Sequence, residues 1–91
     1  MSDITVKKPT EKELADLKVR AWPIWQKERS KFDWSYDEKE TCYILKGEAT
    51  ITSKDGKRTD FRAGDLVVFP EGLRCVWEIH ADVKKHYKFG A

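Results

Sequence analysis

Apolar and polar residues alternate with a period of two through much of the chain beyond residue 30. Phe32, Trp34 and Tyr36 alternate with polar residues, so three aromatic side chains share one face of a predicted strand. A second alternating set covers 40–45, and the continuous apolar run at 66–69 is typical of a strand buried on both faces. Further strands are predicted at 50–52, 74–79 and 83–89, and residues 80–82, with His80, form a predicted loop without an assigned role.

Turn signals separate these predicted strands. Asp55-Gly56 lies between two strand-like runs, which is a strong signal for a β-hairpin. Further turns are predicted at 62–65 and 70–72, where glycine occurs beside Asp or Glu. Many short strands at close spacing indicate an antiparallel sandwich or barrel.

The N-terminal segment has a different pattern. Residues 4–6 are predicted to form a short edge strand. Thr10 and Glu13 have the spacing of a capping box, in which each side chain bonds the other residue's backbone N–H. A helix is therefore predicted to begin after Thr10 and to end before Pro23, because proline disfavours helical geometry in the preceding residue.

Composition limits the classes of function. The 91 residues are 37% charged with a net charge of +2, which is too weak for a nucleic-acid partner; the basic segment 84–88 is interpreted as a strand with one solvated face. No apolar run is long enough to span a membrane. Two cysteines do not form a secreted disulfide framework, so we expect an intracellular, cytoplasmic protein, or an organellar one if a transit peptide was removed. A homodimer is expected because so small a domain buries little surface alone.

Two segments carry a resemblance to a known family. In ETCYILKG, Glu40 is followed after six residues by Gly47, and in GDLVVFPEG, Gly64 is followed after five residues by Pro-Glu-Gly at 70–72. These segments resemble the two motifs of the cupin superfamily. Within this superfamily, the chain resembles small single-domain cupins that are similar to the cupin domain of ureidoglycine aminohydrolase and to the cupin-type ethanolamine-utilisation proteins. The resemblance implies an all-β, single-domain jelly-roll β-barrel over about 22–89, after a strand and one short helix at about 4–20, so that 1–91 form one domain.

The resemblance also implies a metal site, from which this sequence departs. Cupins typically bind a divalent transition metal with two His and one Glu from the first motif and one His from the second. The corresponding residues here are Trp34, Tyr36, Glu40 and Cys75, so only the glutamate is retained. We therefore expect no cofactor. If a divalent metal binds, the remaining candidate ligands are Glu40, Cys42 and Cys75, because thiolate and carboxylate both ligate zinc.

The inward-facing positions predict a pocket for a small organic molecule. A buried carboxylate is costly unless it is paired, so Glu40 is expected either to hydrogen-bond to Tyr36 or to have a raised pKa. The predicted lining residues are Trp34, Tyr36, Glu40, Cys42, Cys75 and Trp77. His86, on the last strand, is a further candidate at the mouth of the barrel, with a hydrogen-bonded structural role as the alternative.

Three hypotheses for function remain open at this point. In the first, a metal-independent enzyme uses Glu40 as acid or base, assisted by Tyr36 or Cys75. In the second, a binding or sensing module holds a ligand against Trp34 and Trp77 without catalysis. In the third, an atypical metalloenzyme uses the cysteines, which are also candidates for a redox pair. Fold resemblance does not choose among them, because one fold hosts many functions.

Overall fold

The computed structural model of the protein describes residues 4–90. Most of these residues are in β-strands, with one short α-helix and one turn of 3-10 helix at Val19–Ala21. In chain order the elements are β1 (Thr5–Lys7), α1 (Glu11–Leu17), β2 (Ile24–Lys27), β3 (Ser30–Ser35), β4 (Glu40–Ser53), β5 (Arg58–Arg62), β6 (Leu66–Phe69) and β7 (Arg74–Phe89).

The strands form an antiparallel sheet organised around two long strands, β4 and β7. The strand order is β1-β6-β4-β7-β2, with β3 paired to β7 and β5 paired to β4. One half of β4 pairs with β6 and the other half with β5, while β7 pairs with β2 and β3 in the same way. Because each half of β4 and of β7 pairs with a different short strand, the long strands connect two parts of the sheet, which is consistent with the predicted jelly-roll barrel.

The predicted capping box at the start of α1 is confirmed. The Thr10 side chain accepts a hydrogen bond from the backbone N–H of Glu13, and the Glu13 side chain accepts one from the backbone N–H of Thr10. The helix ends at Leu17, before Pro23 as predicted, and Lys18 adopts the left-handed conformation with φ 56°. No helix among residues 4–90 is long and apolar enough to span a membrane.

One sequence interpretation of the long strands was wrong: residues 80–82 were predicted as a loop but lie inside β7. The separately predicted strands at 40–45 and 50–52 belong to one continuous strand, β4, with Gly47 inside it. The ladder between β4 and β7 shifts register around Gly47, as at a β-bulge. A Cβ atom at Gly47 would lie 2.1 Å from the carbonyl oxygen of Asp82, so glycine permits a close approach that keeps both strands continuous.

The Asp55-Gly56 hairpin is confirmed as the connection between β4 and β5, and Gly56 takes φ 89°. The strand β2 was not predicted, because it follows Pro23 and lacks a clear alternation. It is nevertheless paired along its whole length with β7, where Trp25 lies opposite Lys85.

Candidate functional site: an aromatic cavity with a buried ion pair

A cavity of about 100 Å³ opens between the strands β2, β3 and β7. Two of its aromatic side chains, Trp34 and Phe89, are each 46% exposed and form the rim, whereas Trp77, Glu40 and Lys85 are buried at its inner end. The lining residues are Trp25, Phe32, Trp34, Tyr36, Glu40, Trp77, Lys85, Tyr87 and Phe89.

The aromatic walls are built around Trp77. Its ring stacks on Phe32 with the centroids 5.9 Å apart, and it contacts Trp25 at 5.7 Å. On the other side it contacts Phe69 at 5.7 Å and Phe61 at 5.4 Å. Offset and edge-to-face ring pairs at these separations are favourable and fix the ring orientations, so the cavity has rigid walls.

The inner end of the cavity holds an ion pair. The Lys85 Nζ donates a hydrogen bond to Oε2 of Glu40 at 2.5 Å, and the two side chains are only 5% and 4% exposed. The expected partner of Glu40 was Tyr36; the structure corrects this, because Lys85 reaches the carboxylate instead. Burial of both charges is tolerated because each neutralises the other and they share a hydrogen bond.

The same ammonium lies over three aromatic rings. The Lys85 Nζ is 4.9 Å from the ring centroids of Trp25 and Trp77 and 5.6 Å from that of Phe69. Cation–π attraction at these distances adds to the attraction of the carboxylate. The positive charge is therefore held from several sides.

Tyr36 lies in the cavity wall as predicted, but with a different partner. Its hydroxyl oxygen accepts a hydrogen bond from Nε1 of Trp77 at 3.2 Å, and its ring stacks on Phe69. Burial raises the pKa of Tyr36 above its ordinary value, and the nearby Glu40 carboxylate raises it further. Tyr36 therefore keeps its proton and is available as a hydrogen-bond donor.

The two cysteines do not line this cavity, contrary to expectation. Cys42 is fully buried in the core, and Cys75 is buried with its Sγ 3.7 Å from the carbonyl oxygen of Trp34. Burial raises the pKa of Cys42 to about 12 and that of Cys75 to about 11. Both thiols thus remain protonated near neutral pH, which disfavours their use as nucleophiles or metal ligands.

His86 does not line the cavity either. Inward positions of β7 are odd-numbered, such as Trp77, Val83 and Lys85, so the alternation places His86 on the other face. Its Nδ1 lies 3.0 Å from the carbonyl oxygen of Trp22, which is the hydrogen-bonded structural arrangement. His80 is exposed, and its Nε2 lies 2.8 Å from Oγ1 of Thr50.

The side chains at the motif's metal-ligand positions do not fit a metal. Trp34 offers no lone pair for coordination, the Tyr36 oxygen already accepts a hydrogen bond, and Glu40 is paired with Lys85. Across residues 4–90, no group of three or more His, Cys, Asp or Glu side chains is arranged to hold a metal ion.

Lys85 and Trp25 are the site residues that the sequence analysis missed. Counting by two along β7 from Trp77 leads through Ile79 and Val83 to Lys85, so the signal for an inward lysine was present in the alternation. Trp25 had no such signal, because the strand that carries it was not predicted.

A larger groove of about 450 Å³ lies beside the β4–β5 hairpin and the turn at 70–72. Its charged side chains, including Lys54, Glu71 and Arg74, are exposed to solvent. The aromatic cavity is the stronger candidate site, because it holds two buried charges.

Comparison with known proteins identifies the class. The strand topology and the two glycine-marked motifs define a small cupin. The family model of the EutQ-like cupin domain matches residues 14–87, and the chain belongs to this family. No curated protein matches the chain.

Solved structures agree with this assignment. A DUF861 family protein from Thermotoga maritima is 50% identical, with a TM-score of 0.95, and the match covers 96% of this chain and 99% of that one. The Clostridium difficile EutQ protein is 21% identical, with a TM-score of 0.67 over 74% of this chain, which spans about half (52%) of the EutQ chain. A predicted oxalate decarboxylase from Thermotoga maritima is 22% identical, with a TM-score of 0.57 and coverages of 97% and 80%. The latter two show similarity of fold alone.

Proposed function

We propose that this cupin binds a small, neutral organic molecule in its aromatic cavity without a metal. The observation that carries the proposal is the Glu40–Lys85 pair at the inner end of the aromatic walls. The formal charges of the two lining residues cancel, so a charged ligand would lose its hydration without finding an unpaired counter-charge.

The inner end offers hydrogen bonds to such a ligand. Among residues 4–90, no group donates to Oε1 of Glu40 and none accepts from the Tyr36 hydroxyl. Every fully buried side-chain N or O atom in this part of the chain has a hydrogen-bond partner. Since Oε1 has no such partner, it is not fully buried, and we infer that it is accessible from the cavity. One acceptor and one donor therefore suit a ligand that carries both kinds of group, such as a primary amide.

The cavity volume limits the size of the ligand. An engineered apolar cavity of about 150 Å³ accommodates benzene, which has six heavy atoms. A cavity of about 100 Å³ with an open mouth therefore suits a group of roughly four to six heavy atoms. The flat walls of Trp77 and Phe32 favour an unsaturated or planar group.

The experiment is a titration followed by intrinsic tryptophan fluorescence with three compounds of similar size: the neutral propionamide, the anion propionate and the cation propylammonium, added as propylamine. We expect a saturable change with the amide and a much weaker response to the two ions, since only the amide keeps the charge of the cavity balanced. Trp22→Phe is the matched control, because Trp22 does not line the cavity and its removal leaves the response intact.

Two variants connect the response to the inner end. Glu40→Gln replaces the charged acceptor by a neutral amide oxygen, and Tyr36→Phe removes only the hydroxyl donor. Each should weaken amide binding by several-fold, because one hydrogen bond to the ligand is weakened in the first variant and lost in the second. An equal response to all three compounds, or unaltered binding in both variants, would contradict the proposal.

A second candidate function is proton transfer by Glu40 as a metal-independent acid or base. The observation that favours it is a carboxylate held in an apolar site beside an ammonium and a neutral phenol, an arrangement found where acid–base catalysis occurs. The test is exchange of ligand C–H protons with deuterated water, followed by NMR. Accelerated proton exchange that is abolished by Glu40→Gln would support catalysis. Ligand binding without accelerated exchange would contradict catalysis and support a binding role.

A further inference from the structure

The position of the Lys85 ammonium has a consequence for the metal chemistry of this site. Glu40 is the one residue that the chain retains from the motif's metal-ligand set, and its carboxylate binds Lys85 Nζ. We infer that the ammonium of Lys85 occupies the place that the metal ion has in metal-binding cupins, so that the cation of this site is part of the chain itself. This inference concerns the apo protein and does not depend on ligand binding.

The surroundings of Lys85 Nζ are those of a built cation site. The ammonium has a carboxylate at 2.5 Å and three aromatic ring centroids within 5.6 Å. Its side chain is only 5% exposed, so water does not supply its main stabilisation. A lysine is almost never buried in this way unless a specific partner compensates it, and here Glu40 does so.

Two of the other motif positions hold aromatic side chains. Trp34 and Tyr36 stand in place of imidazole nitrogens, which removes lone pairs that a divalent metal needs. Their rings line the same cavity as Trp25 and Trp77, whose faces contact the ammonium. An ammonium is stabilised by aromatic faces and by one carboxylate, so the site suits this cation better than a metal ion.

The strand alternation explains how Lys85 reaches this place. It lies opposite Ile44 on β4 and opposite Trp25 on β2, both by direct register. Its neighbour Lys84 lies on the other face of β7 and is only partly buried. Lys84 is therefore a matched control for substitutions of Lys85.

The first experiment restores the motif's ligands with and without the ammonium. The double variant Trp34→His, Tyr36→His keeps Lys85 and, with Glu40, provides two imidazoles and one carboxylate in the cavity. A triple variant adds Lys85→Met. Zinc binding is measured by isothermal titration calorimetry and metal content. We expect the triple variant to bind one zinc per chain at least about tenfold more tightly than the double variant, because an ammonium beside Glu40 repels the metal. Equal affinities would overturn the inference.

A second measurement uses the native protein, so that the inference stays testable if these variants fail to fold. With ¹⁵N-labelled lysine side chains, we expect one slowly exchanging ammonium resonance that is lost in Lys85→Met, kept in Lys84→Met, and unchanged by excess zinc or by a chelator. Loss or displacement of that resonance on adding zinc would overturn the inference, as would the absence of any protected ammonium.

Discussion

Replacement of Lys85 by methionine removes the ammonium while keeping a long, unbranched side chain. Glu40 then remains buried at the inner end of the cavity without its ionic partner. Removing one member of a buried ion pair typically costs about 3–5 kcal/mol, because the other charge is left uncompensated. The side chains are 5% and 4% exposed, so solvent screening is small and the full range applies. For a domain of this size, such a loss lowers the melting temperature by at least about 12 °C.

A double-mutant cycle separates the ion pair from the packing around it. Lys85→Met, Glu40→Gln and the double variant are compared by urea unfolding, followed by tryptophan fluorescence. We expect the double variant to be more stable than the sum of the two single losses predicts, by roughly 1–3 kcal/mol, because it contains no lone buried charge.

The matched control is Lys84→Met on the partly buried face of the same strand. Its effect on the free energy of unfolding should stay within about 0.5 kcal/mol. If Lys85→Met is no more destabilising than Lys84→Met, or if the two single losses simply add, the reasoning about a compensated buried pair is refuted.

Three further predictions concern the fold. Gly47→Ala should lower the free energy of unfolding by several kcal/mol more than Gly64→Ala. Both glycines have positive φ, but only a Cβ at Gly47 would clash, at 2.1 Å from the carbonyl oxygen of Asp82. Equal losses in urea unfolding would contradict this close approach. Thr10→Ala should cost about 1 kcal/mol through loss of the helix cap, measured by thermal unfolding, and an unchanged melting temperature would argue against the capping box. Burial raises the pKa of Cys42 from 9.0 to about 12, so the protonated thiol stabilises the fold below pH 9.0 and this contribution is lost as the pH rises toward about 12. The free energy of unfolding should therefore fall less over this pH range in Cys42→Ala than in the native chain. Identical pH profiles of the two proteins would contradict burial of this thiol.

Local signals in the sequence were sufficient for much of the fold. The capping residues around Thr10, the Asp55-Gly56 turn and the apolar run of β6 each encode their structure within a few residues. The loop predicted at 80–82 was wrong, because this segment lies inside β7 and pairs with β4 across the register shift at Gly47. That pairing brings Gly47 close to Asp82, a contact between residues distant in sequence that local signals do not encode.

The candidate site was predictable only in part, for a similar reason. The aromatic walls follow from alternation, which placed Trp34, Tyr36 and Trp77 around the cavity. The partner of Glu40 lies 45 residues further along the chain, in a segment whose basic residues suggested a solvated face. Lysine is rarely buried, which argued against an inward Lys85, although the alternation along β7 from Trp77 places it on the inward face.

The most direct test of Lys85 as the cation of this site is a crystal structure of the native protein grown in the presence of excess zinc. We expect density for Lys85 Nζ at hydrogen-bonding distance from the Glu40 carboxylate, with no anomalous zinc peak beside Glu40. An anomalous peak at Glu40, with Lys85 displaced from the aromatic rings, would contradict the claim that the chain supplies its own cation.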